Sequence, residues 1–171
     1  MKIRPGISVL LVIALLAVAF VAGCAKPAET GKIAPPIVPT SLDLSSPERS
    51  VRTYLAFTNL SYRMVNSELA TPAMTPAEGV RVDSYIELNR EKGQGIEQTV
   101  KSLKSATVSM EGTGAVVSTQ ERWEYRYFSL ATQLYTTPAY AASYDTTYTL
   151  VLVPRGWLVD KVQALAVGKV Q

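Results

Sequence analysis

The alternation that runs from Ala115 to Tyr127 constrains this chain more than any other feature. Ala115, Val117, Thr119, Glu121, Trp123, Tyr125 and Tyr127 fall on one face of an extended backbone, and Ser118, Gln120, Arg122, Glu124 and Arg126 on the other. A period of two with an aromatic face and a charged face is the pattern of a half-buried antiparallel strand. Such a strand needs neighbours along its edges and a cover over its apolar side. Gly112-Thr113-Gly114 supplies a turn before it. After it come a polar, tyrosine-bearing loop (129–142), a strand over 143–153, a turn at Pro154-Arg155-Gly156 and a last strand over 157–167. Residues 96–110 read as the first strand of the set. Val100, Leu103, Val108 and Met110 fit neither a helical nor a strand period there, so a bulge or a short helical turn is expected within it.

The cover comes from upstream. Ser46-Pro47-Glu48 combines a hydroxyl cap, proline at the first helical position and an acid in the first turn, which opens a helix. Val51, Tyr54, Leu55, Thr58, Tyr62, Val65 and Leu69 then recur at three- and four-residue steps, so the helix is expected to run to about Leu69 and to end at Thr71-Pro72. Thr75-Pro76-Ala77-Glu78 is a capping box that starts a second helix, with Val82, Tyr85, Ile86 and Asn89 on one face and a stop at Gly93-Gln94-Gly95. Helices first and strands after specify an α+β domain: two or three N-terminal helices packed on a curved four-stranded antiparallel sheet.

The start of the chain reads as an address. Lys2 and Arg4 precede an apolar run over 7–22 that only Ser8 interrupts, too short for a membrane-spanning helix and right for a signal peptide. Val21-Ala22-Gly23-Cys24 resembles the bacterial lipoprotein lipobox. The resemblance implies cleavage after Gly23 and acyl chains on Cys24, which would anchor the protein outside the cytoplasm. An ordinary secretory signal with an incidental cysteine, or an uncleaved anchor, would put the domain on the same side. The expected division is a signal peptide at 1–23, a lipidated cysteine and proline-rich tether at 24–45, and a single domain at 46–168. Pro27, Pro35, Pro36 and Pro39, with no aromatic residue among them, make that tether a semi-rigid spacer.

Composition removes several kinds of chemistry. The sequence has no histidine and one cysteine, which leaves no Ser-His-Asp triad, no histidine metal site, no zinc cluster and no internal disulfide. Removing the signal takes Lys2 and Arg4 with it, leaving 15 basic against 14 acidic side chains. No basic run interleaved with aromatics remains, so nucleic acid is not an expected partner. The glycine pairs at Gly93-x-Gly95 and Gly112-x-Gly114 lack the rest of a phosphate-binding fingerprint and read as turns.

Three segments sharpen the fold. Glu121-Arg122-Trp123-Glu124-Tyr125, then Tyr144 and Tyr148 followed by Leu150, then Gly156-Trp157-Leu158-Val159-Asp160 resemble the closing half of the cone-shaped nuclear-transport-factor-two-like superfamily. Within it they are most similar to the IMS-type domain of plastid-division proteins and their cyanobacterial relatives. The resemblance implies a cone-shaped domain closed by Trp157. It also implies a protein-interaction role for the IMS-type branch, although the superfamily includes isomerases and cyclases. The lipobox and the absence of accompanying helical domains depart from the division proteins.

Glu121 shares its face with Trp123, Tyr125 and Val117, where a carboxylate is costly unless it is partnered. Two readings stand: an ion pair with a helix arginine, Arg63, Arg81 or Arg90, or an acid or base at the bottom of a cavity. Asp83 and Asp145 read as solvated charges. Six of the nine tyrosines lie between Tyr125 and Tyr148, and Glu121, Trp123, Tyr125, Tyr127 and Tyr148 could together line a binding cavity. The expected function is a non-catalytic envelope lipoprotein, held by its lipid anchor, whose domain docks another envelope protein through the outer sheet face or the 129–142 loop. The alternative is a carrier of a small molecule or lipid in the aromatic cavity, and behind it an isomerase- or cyclase-type enzyme. No metal and no cofactor beyond the acyl chains on Cys24 are expected.

Overall fold

The computed structural model describes residues 31–167. The signal segment, Gly23 and Cys24 lie outside them. Among the described residues no helix is long and apolar enough to cross a membrane.

Two α-helices and a 3-10 helix pack on a four-stranded antiparallel meander, with strands in the order β1-β2-β3-β4. Helix α1 (Pro47–Met64) starts as its sequence demands: Ser46 accepts a hydrogen bond from the Arg49 N–H, and Pro47 occupies the first turn. It ends five residues before the expected limit. Val65 takes a left-handed conformation at φ 52°, the Asn66 N–H bonds back to the Ser61 carbonyl at 3.0 Å, and Asn66 caps a 3-10 helix, Ser67–Ala73. This break turns the chain so that Ala70 and Ala73 are fully buried. It also lets Met74 bridge to Val159 and the Thr75 N–H bond to the Val159 carbonyl at 2.9 Å. Periodicity alone does not register such a turn, because apolar residues continue at helical spacing through it. Helix α2 (Pro76–Glu91) begins at its Thr75 cap and buries Val82, Ile86 and Asn89, as expected, together with Glu78.

The strands are β1 (Gln94–Glu111), β2 (Gly114–Ser129), β3 (Tyr140–Val153) and β4 (Gly156–Ala166). The ambiguous spacing of β1 has a simple cause. Its register against β2 slips between Val100 and Ser102 and again between Ser105 and Thr107. Each bulge adds one residue and exchanges the two faces. Ile96, Gln98 and Val100 therefore share a face with Leu103 and then with Val108 and Met110, although their sequence parity changes twice. A third bulge, between Thr149 and Leu150 in the β3–β4 pairing, sets Asp160 apart, and its carboxylate accepts from the Thr75 hydroxyl at 2.8 Å. Strand β3 starts three residues before the expected limit, because Tyr140, Ala141 and Ala142 pair with Tyr125, Glu124 and Trp123.

Both tight hairpin turns lie at one end of the sheet, where the Leu152 N–H bonds to the Thr113 carbonyl. Trp157, 8% exposed, belongs to the core there beside Met74 and Val159. The part of the proline-rich segment that the structure describes lies against the domain at both its ends. Leu44 is buried and its carbonyl accepts from the Trp157 N–H at 2.9 Å. Gly156 makes this approach possible: its φ is 122°, and a Cβ on it would stand 2.5 Å from the Leu44 oxygen. At the far end of the sheet, Lys32 pairs with Leu134 of the β2–β3 connection.

Candidate functional site

Toward that far end, the inward face of the sheet stops being packed. A cavity of about 310 Å³ lies between the sheet and the two α-helices. Its wall takes Tyr54, Leu55, Thr58 and Tyr62 from α1, Tyr85 from α2, Gln98 from β1, Glu121, Trp123 and Tyr125 from β2, Tyr140, Tyr144, Thr146 and Tyr148 from β3, and Val162 and Ala164 from β4. Seven of the nine tyrosines are in it. A larger groove of about 680 Å³ runs between α1 and β1. The proline-rich segment forms one wall of that groove, and Arg63 ties the two sides together through Glu97 and the Ala34 carbonyl, so it is the seam where the segment docks.

Glu121 is 5% exposed and holds three donors. The Tyr148 hydroxyl donates to Oε1 at 2.6 Å, the Thr119 hydroxyl to Oε1 at 2.7 Å, and the Trp123 indole N–H to Oε2 at 2.7 Å. Among the described residues no arginine forms an ion pair with it. The three that could have paired with it are committed elsewhere: Arg63 to Glu97, Arg81 to Glu78 and Arg90 to Glu87. The ion-pair reading of Glu121 is thereby corrected. Arg81 and Arg90 answer carboxylates one turn away on their own helix, and Arg63 answers one on β1.

The aromatic wall is ordered by stacking. Trp123 stacks on Tyr125 with ring centroids 5.9 Å apart, Tyr125 on Tyr140 at 5.3 Å, and Tyr140 on Tyr127 at 6.3 Å. Tyr54 meets Tyr148 edge to face at 6.1 Å. Burial pushes the hydroxyls of Tyr54, Tyr62, Tyr125, Tyr140 and Tyr148 well above the usual phenol range, and that of Tyr85 up to about 12. These six hydroxyls are therefore uncharged at neutral pH. Thr146 is 2% exposed, and its hydroxyl has no hydrogen-bond partner among the described residues.

The structure brings Glu121, Trp123, Tyr125 and Tyr148 together at one surface. Tyr127 is not part of it, standing half-buried behind Tyr140. Several wall residues escaped the sequence reading. Tyr140, Tyr144 and Thr146 belong to the same period of two as Tyr148, and that signal was available once β3 is started at Tyr140. Tyr54, Tyr62 and Tyr85 lie on helical faces that mark them as buried without saying that they meet over a void. Glu78 was read only as part of a capping box. It is 1% exposed, accepting from the Tyr54 hydroxyl at 2.6 Å and from Arg81 at 2.8 Å.

The chain matches no protein-family model and no curated protein sequence. Its backbone is similar to that of the intermembrane-space region of the chloroplast protein ARC6, with a TM-score of 0.57 at 16% identity over 74% of this chain and 99% of that one. It is also similar to a nuclear-transport-factor-two-like superfamily protein from Salmonella enterica serovar Typhimurium, with a TM-score of 0.50 at 9% identity over 71% of this chain and 92% of that one. The domain has the nuclear-transport-factor-two-like fold. The expected cone, with a backbone like that of the ARC6 intermembrane-space region, is the one observed. At these identities the likeness concerns the backbone, and function has to be argued from the site.

Proposed function

We propose that this protein is a non-catalytic binding lipoprotein of the cell envelope, anchored through Cys24, whose cone domain holds a small molecule in the tyrosine-lined cavity. One observation carries the reading: a void of about 310 Å³ with seven tyrosines and a buried carboxylate in its wall, at the lower end of the volumes that small-molecule sites occupy. The docking alternative would use the outer sheet face or the 129–142 loop. That face carries Ser118, Gln120, Arg122, Asp145, Thr147 and Lys161, with apolar side chains such as Val116 and Leu165 scattered singly, as on any solvated surface.

Native mass spectrometry of the protein extracted gently from its own membranes tests both halves of the reading. A diacyl or triacyl mass on Cys24 together with a non-covalent small molecule is the expected spectrum. The small molecule should be lost in Ala164→Trp, which adds a bulky side chain at the exposed β4 rim of the cavity. A bound protein in its place, with the cavity variant unchanged, would overturn the binding reading in favour of docking. An unmodified Cys24 would overturn the anchor.

A further inference from the structure

We propose that the cavity selects a small organic cation of the alkylammonium class. This rests on the binding reading above and narrows it. The wall contains one carboxylate, Glu121, and neither lysine nor arginine. The three donors that hold Glu121 are all uncharged, so they satisfy its lone pairs without balancing its charge. Burying such a carboxylate is expensive unless a positive charge joins it. Arg81 reaches the Val162 carbonyl near the cavity, but its guanidinium is bound to Glu78. The missing charge has to come from the occupant.

The rings point to the same chemistry. Trp123, Tyr125 and Tyr140 form a stack along one side, and indole and phenol rings attract a cation over their faces through the ring quadrupole. Aromatic rings with an adjacent carboxylate form the kind of cage that recognises quaternary and methylated ammonium groups. An anion would meet Glu121 with nothing to offset it, and a neutral ring would gain packing alone. A hard metal cation is poorly served, since it needs six or more oxygen ligands and the wall offers one carboxylate already filled by donors. The unpartnered Thr146 hydroxyl, on the same wall, can bond to a polar arm carried by the cation.

Isothermal titration calorimetry on the full chain in a non-ionic detergent separates this inference from the reading beneath it. The probes are tetramethylammonium, choline and 3,3-dimethylbutan-1-ol, the last being the uncharged isostere of choline. Both cations should bind, and the alcohol should bind at least about tenfold more weakly than choline. Glu121→Gln should reduce choline affinity by about tenfold or more. Because that change also sets an amide N–H against the Trp123 indole N–H, Tyr140→Leu serves as a second variant at the cavity wall and should weaken choline by several fold with the thermal transition preserved. Equal affinity for choline and the alcohol, both abolished by Ala164→Trp, would overturn the cation inference and leave the cavity reading standing. Cation binding that Ala164→Trp leaves intact, or no cation binding at all, would overturn the inference directly.

Discussion

Two buried glutamates stand on either side of one aromatic contact, and their different surroundings separate scaffold from site. Tyr54 and Tyr148 meet edge to face, and each donates outward to a carboxylate at 2.6 Å, Tyr54 to Glu78 and Tyr148 to Glu121. Glu78, on the first turn of α2, also has Arg81 one turn ahead, whose side chain is 54% exposed. Glu121, on the sheet floor, has only neutral donors and a void in front of it. Burial pushes the Glu78 carboxyl above its usual range, while the Tyr54 hydroxyl and Arg81 pull it back. The same residue type at similar burial thus serves as a closed joint between helix and sheet in one place and as an open, uncompensated charge in the other. The lesson is that the partner's charge, more than the depth of burial, marks a carboxylate as available for binding.

The largest test compares the two truncations. Glu121→Ala strands the Trp123 indole N–H and the Tyr148 hydroxyl in the interior and should cost about 3–5 kcal/mol in urea unfolding of the ligand-free protein. Glu78→Ala strands the Tyr54 hydroxyl and the Val162 N–H that also serves Glu78, while Arg81 is half in water, and should cost about 2–3 kcal/mol. Equal costs would break the comparison. Next in size are the tyrosines. Tyr148→Phe should lose about 2 kcal/mol and Tyr54→Phe about 1 kcal/mol, because Glu78 keeps Arg81. A double variant whose loss departs from the sum would show that the ring contact couples the two sites.

The pH dependence separates them further. Glu78 has a folded pKa raised above its ordinary 4.5, so its contribution is fully present below that value and is lost as pH rises through the folded one. Wild type should therefore lose stability relative to Glu78→Gln as pH rises above 4.5, read as a shift in the urea midpoint difference. A difference that stays constant with pH would mean that Arg81 fully compensates burial. Arg81→Met should give the smallest effect, about 0.5–1 kcal/mol, since half of its side chain is in solvent. It should leave choline binding unchanged if Glu121 supplies the charge that matters.

Much of the fold was legible because local rules agreed with one another along the chain. Ser46-Pro47 and Thr75-Pro76 start helices where capping chemistry requires, and the Ala115 to Tyr127 alternation runs inward on β2 as read, fully buried at alternate positions through Trp123. What escaped reading had local causes that a period does not carry. The broken period of β1 announces an irregularity, and a bulge is what it is, but no glycine or proline marks that there are two or that they fall after Val100 and Ser105. Val65 breaks α1 in a conformation that its own side chain disfavours, held by Asn66 bonding back to Ser61 and by Arg90 donating to its carbonyl. The candidate site was half visible. Four of the expected residues are among the seven that share the β2–β3 face, while Tyr54, Tyr62 and Tyr85 arrive from helices whose placement over the sheet no spacing encodes.

By itself the sequence determined which segments are helix and strand, which face of each strand turns inward, and that Glu121 would be buried among aromatics. These follow from hydrophobic period, caps and turns, which act over a few residues at a time. Only the tertiary structure decided who meets Glu121 and whether space is left in front of it. The choice between an arginine and three neutral donors depends on how far α1 and α2 ride above the sheet. That height is set by the sum of the side chains packed between them and by where the bulges curve the strands. A void is a property of that whole sum, so it becomes visible only when all the walls are in place.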